Sequence, residues 1–147
     1  MAVMMTNLLK GILTGAVVGA VGGPLIAGLS GSALLGLIWL ASGQADQLPW
    51  VAVFGLIIAP FGASVGVIVG SIIGGVRRWF GSLLNAGSFG GLVGGIIGLL
   101  VLPFLFDGRQ EEFSSGTAAV IALILAGLAT ALAVKFIQRR LAQSEST

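Results

Sequence analysis

The side chains able to do chemistry are few, and most of the charged ones lie at the ends of long apolar runs. The densest cluster is "DGRQEE", residues 107–112, where Asp107, Glu111 and Glu112 flank Arg109. Paired carboxylates can bind a cation or move protons. Here they share one short polar stretch, which reads as a solvated turn. The basic pairs Arg77-Arg78, followed by Trp79, and Arg139-Arg140 read as lipid-headgroup anchors that also set topology. The chain has no histidine and no cysteine. Zinc, haem and imidazole acid/base chemistry lose their commonest ligand or base, and no thiol nucleophile or disulfide can form. Thr14, Ser30, Ser32, Ser64, Ser71, Asn85, Ser88 and Thr130 are the polar groups inside the apolar runs. Hydroxyls at such positions bond their own helix or a neighbour, Asn85 suits a capping role, and a serine nucleophile would need a base that none of these supplies. No catalytic residue, metal ligand or cofactor is therefore predicted, although a lipid, quinone or pigment could lie flat in a glycine groove.

The elements that must carry these groups are membrane spans. The chain is 56% hydrophobic and only 8% charged, with a mean hydropathy of +1.11, which puts it in lipid rather than water. The pI near 10.0 invites a nucleic-acid reading. A net charge of +2, with the basic residues at span ends rather than on one face, argues against it. Four spans are predicted within a single domain, at about residues 8–41, 49–76, 79–106 and 115–137, with a short polar tail at 138–147. The first is long for a hydrocarbon core of roughly 30 Å, so a tilt or a bend at Gly22-Gly23-Pro24 is expected; two half-helices forming a re-entrant loop are the alternative. "SSGT" before the fourth span resembles a helix cap. Lys10 followed by "GILTGAVVGA" has the outline of a signal peptide, but the apolar run continues well past any cleavage site.

The charges sort by side. Lys10, Arg77, Arg78, Lys135, Arg139 and Arg140 fall on one side of the four spans; Asp46, Asp107, Glu111 and Glu112 fall on the other, with Arg109 the exception. The positive-inside rule places both termini in the cytoplasm. Trp39 and Trp50 would then sit near the outer interface and Trp79 near the inner one, unless their rings fill helix contacts. The membrane expected is a bacterial inner (plasma) membrane or a thylakoid.

Glycine carries the packing signal. Residues four apart share a helix face, and the second span has Gly62, Gly66, Gly70 and Gly74 in register. The first has Gly11, Gly15, Gly19, Gly23, Ala27 and Gly31. The third has two adjacent rows, Gly87-Gly91-Gly95 and Gly90-Gly94-Gly98. The fourth uses Ala118, Ala122, Ala126 and Thr130, with Gly127 and Ala131 beside them. Such faces let backbones approach closely, which is a main attraction between helices in lipid. The expected fold is an all-α integral membrane protein, a four-helix transmembrane bundle with glycine-zipper packing. Its rows either close the chain on itself or, where there are more rows than contacts, face outward toward other subunits. A shift of 75 positions also lays Gly15, Gly19 and Gly23 on Gly90, Gly94 and Gly98, as a duplicated two-helix hairpin would. In this alignment the second and fourth spans match only at "VRRW" and "QRRL".

The repeated glycine helices resemble the rotor-ring subunits of rotary ATPases, and four glycine-rich spans in a chain of this size are similar to the mitochondrial translocase family. The mid-membrane carboxylate of the first and the charged signature of the second have no counterpart here. The function expected from the residues is that of a noncatalytic structural or accessory subunit, a homo-oligomer or a partner of other membrane-protein subunits, with membrane lipid around it. The alternative is a homo-oligomeric channel or small-solute passage without charged coupling groups.

Overall fold

A computed structural model describes residues 2–76, 82–105 and 113–144, with side chains at 5–76, 82–103 and 115–144. These residues form α1 (Ala2–Ala41), a single 3-10 turn (Ala45–Gln47), α2 (Trp50–Gly75), α3 (Leu83–Leu105) and α4 (Phe113–Ser144). All four helices are long and apolar enough to cross a membrane.

α1 is one continuous helix of 40 residues, not two half-helices. Its ladder runs through Pro24, where one hydrogen bond is lost but both sides of the lesion are held: Gly23 and Ala27 each lie against Gly62 of α2. At its far end the helix closes in a Schellman arrangement. Gln44 N–H donates to the Trp39 carbonyl at 2.8 Å and Gly43 N–H to Leu40 at 3.2 Å. This requires Gly43 at φ 74°, a left-handed conformation that glycine adopts without strain.

Helix bounds and expected span bounds differ for a physical reason. A span ends where side chains become polar, whereas a helix ends where its backbone runs out of partners. α1 therefore starts at Ala2 rather than near residue 8, keeping Thr6, Asn7 and Lys10 exposed on its first turns. The residues expected to form a polar tail are helical up to Ser144. "SSGT" lies inside the first turns of α4 rather than before them. α3 begins at Leu83 rather than near 79, and its cap is Ser82, whose hydroxyl accepts the Asn85 N–H at 3.1 Å; the capping expected of Asn85 itself falls to this neighbour.

The topology is two antiparallel hairpins. α1 packs along α2, α3 packs on α4, and α4 in turn lies against both α1 and α2, while α3 makes only a small contact with α2. α4 is thus central and α3 peripheral. The core runs through Ile58, Val65, Val69 and Ile73 of α2 and Ala118, Ala122, Leu123, Ala126 and Val134 of α4, all essentially inaccessible. The row Ala118, Ala122, Ala126 and Thr130 is buried throughout, so the small-residue face of α4 is what lets it sit between neighbours. Trp39 belongs to this core, at 8% exposure, whereas Trp50 is 64% exposed. Of the two rings expected at the outer interface, Trp39 instead fills a helix contact.

Candidate functional site

The α1–α2 seam brings together eight of the glycines singled out in sequence. Gly15 faces Gly70, Gly19 faces Gly66, and Gly23 faces Gly62; Gly74 closes the row against Gly11. A Cβ built on any of these would come within 3.0 Å of the opposite residue's backbone, closer than real carbon atoms approach. The pairing runs 11 to 74 and 23 to 62, as an antiparallel register demands. Beyond Gly23 the seam changes character. Gly28 faces Gly55, Phe54 enters beside Gly31, and the Ser32 hydroxyl donates to the Val51 carbonyl across the interface at 3.0 Å. The Ser30 and Ser64 hydroxyls stay on their own helices, donating to the carbonyls of Ile26 at 2.5 Å and Pro60 at 3.1 Å.

The α3–α4 seam is less symmetrical. Gly90 lies on the backbone of Gly127, and Gly94 on that of Leu123. Gly98 meets Val120 at 3.1 Å, a looser fit. The adjacent row also faces α4, but over side chains: Gly91 and Gly95 lie above Ile124, and Gly87 reaches Leu132 at 3.8 Å. From sequence, the two rows of α3 could either close the chain on itself or, being more than one contact needs, leave one face for partners. Both rest on α4, because a wide shallow face accommodates the bulky Ile124 beside a backbone contact.

These pairings bear on the suspected duplication. Gly15 and Gly90 correspond under the 75-position shift, yet their partners Gly70 and Gly127 lie 57 positions apart. Matching "VRRW" to "QRRL" would need 62. The two hairpins share a contact pattern without sharing one uniform shift.

The described basic residues Lys10, Lys135, Arg139 and Arg140 gather at the end of the bundle where α1 begins and α2 and α4 end; Asp46 lies at the opposite end. Arg139 and Arg140 are exposed, and the Arg140 guanidinium stands 5.2 Å over the Phe136 ring. Arg77, Arg78 and Trp79, and the cluster at 107–112, lie outside the described residues.

Three features escaped the sequence reading. Gly127 touches two helices at once, with Gly90 on one side and Val65 Cγ1 at 3.2 Å on the other. Gln138 is buried, its amide donating at 3.5 Å to the carbonyls of Ile73 and Gly74 at the end of α2. A signal for it existed: the four-residue row of α4 continues from Thr130 through Val134 to Gln138. Thr130 is 1% exposed and its hydroxyl has no hydrogen-bond partner. A buried hydroxyl left unpaired costs about 1–3 kcal/mol. Thr130→Val is therefore expected to stabilise the bundle by about 1 kcal/mol, read as a higher midpoint in thermal unfolding in detergent; a lower midpoint would mean that the hydroxyl has a partner.

Comparison of the chain with protein-family models, with curated proteins and with solved structures finds no match.

Proposed function

We propose that this chain is a noncatalytic structural or accessory subunit of a membrane complex. In this reading it is a glycine-zipper bundle with both termini in the cytoplasm, its basic end meeting the inner lipid headgroups. The observation that carries it is backbone-to-backbone closure of α1 on α2 at four successive glycine pairs. Such a seam makes a thin, stiff hairpin, because contacts between main chains have no rotamers to lose. Stiffness of this kind suits a part that others pack against.

The glycines of the seams are taken up within the chain, so contacts with other subunits fall to the outer face of α1. Leu13, Val17, Val21, Leu25 and Leu29 form a row there, each more than half exposed, and Gly22 has open space beside it. A row four residues apart presents one continuous apolar ridge to lipid or to another helix.

Native mass spectrometry of the protein released gently from its own membrane tests the reading. Recovery in a discrete complex with other polypeptides is expected. A chain recovered alone at every detergent concentration would overturn it. A closed ring of copies would favour a passage between them instead, to be followed by solute-flux assays in vesicles.

A further inference from the structure

We propose that the outer groove between α3 and α4 holds one acyl chain of an anionic phospholipid, with Arg139 at its phosphate. The groove measures about 340 Å³ and is lined by Leu83, Leu84, Gly87, Ser88, Leu128 and Leu132. Gly87 makes its floor. Unlike Gly90 and Gly94, it meets no backbone of α4: a Cβ there would find only Leu132 Cδ2, at 3.8 Å. Its small size serves no backbone contact with α4 and leaves an open apolar groove beside Leu132.

Charge identifies the occupant. Along α4, Leu128 and Leu132 share a helix face with Arg139, seven residues further on. Seven residues are nearly two turns, so Arg139 stands about 10 Å beyond Leu132 and within about 20° of it around the axis. Its side chain is exposed, at the end of the bundle where the basic residues gather. Arg140 points elsewhere, over Phe136. The first turn of α3, capped by Ser82, opens on the same end, and a helix N-terminus favours negative charge. A chain in the groove and a phosphate under Arg139 satisfy both parts with one molecule. The site does not depend on what the protein assembles with.

The test is native mass spectrometry of the whole protein in mixed micelles containing equal phosphatidylglycerol and phosphatidylcholine. One phosphatidylglycerol should be retained about fivefold over phosphatidylcholine, the preference one arginine near a headgroup supplies. Arg139→Gln should abolish the preference while a lipid is still retained, and Arg140→Gln should leave it intact. Gly87→Leu, which fills the floor with no backbone in its path, should remove the retained lipid of either kind. Equal retention of the two lipids by the unaltered protein overturns the proposal. So does unchanged retention in both Arg139→Gln and Gly87→Leu. Circular dichroism of each variant, expected to match the parent, separates loss of the site from loss of the fold.

Discussion

Leucine at Gly19 or Gly66 is expected to separate α1 from α2 and abolish the native bundle. A Cβ at Gly19 would fall within 3.0 Å of the Gly66 carbonyl and of Val67 N, and one at Gly66 on the Gly19 carbonyl. These are main-chain atoms inside continuous helices, so no rotamer change can clear them. The helices must move apart, and the neighbouring pairs Gly15–Gly70 and Gly23–Gly62 lose their contacts together. Even alanine should destabilise, by about 3 kcal/mol, the upper part of the usual range for overpacking. The sign is informative, because alanine in place of glycine gains about 1 kcal/mol of helix propensity in water; the packing term has to exceed that gain. Gly22→Leu is the matched control, since its Cβ would meet nothing within 4 Å. Thermal unfolding in detergent, followed by circular dichroism, distinguishes the cases. A Gly19→Leu protein that melts like Gly22→Leu would refute the seam.

The second large effect concerns Gly127, the glycine pressed between two helices. Gly94→Leu should release α3 alone, because a side chain there strikes the Leu123 backbone and α3 is held chiefly by α4. Gly127→Leu should do more, striking the Gly90 carbonyl and crowding Val65 at 3.2 Å, so that α4 loses its seat against α2 as well. Hydrogen exchange resolved by segment reads the difference. Gly94→Leu should lose amide protection in α3 and keep it in α1 and α2, whereas Gly127→Leu should lose it in α3, α4 and α2. Gly98→Ala, whose nearest neighbour would be Val120 Cα at 3.1 Å, should cost far less than either. Equal protection patterns in the Gly94 and Gly127 variants would show that the hairpins do not dock through this residue.

The sequence by itself determined the number of long apolar helices, their approximate positions and the positions of the small residues on each helix. It could do so because hydropathy and a four-residue repeat are local: Gly62, Gly66, Gly70 and Gly74 share a face of any helix that contains them. Gln138 was equally legible in the row leading from Ala118, but its polarity suggested a tail, since a glutamine reads as solvent-facing until an unpaired carbonyl is placed beside it. Which face meets which neighbour was decided by tertiary structure alone. The rows of α1 and α3 look alike in sequence, yet one closes on glycines of α2 and the other on the backbone and isoleucine of α4. Nor does local pattern reveal that α4 lies at the centre, that Gly127 serves two interfaces, or that Gly87 faces a groove instead of a backbone. Lipid supplies no hydrophobic force to rank one helix face over another. The choice among small-residue faces therefore rests on how closely whole surfaces fit, a property of pairs of helices that no single helix carries.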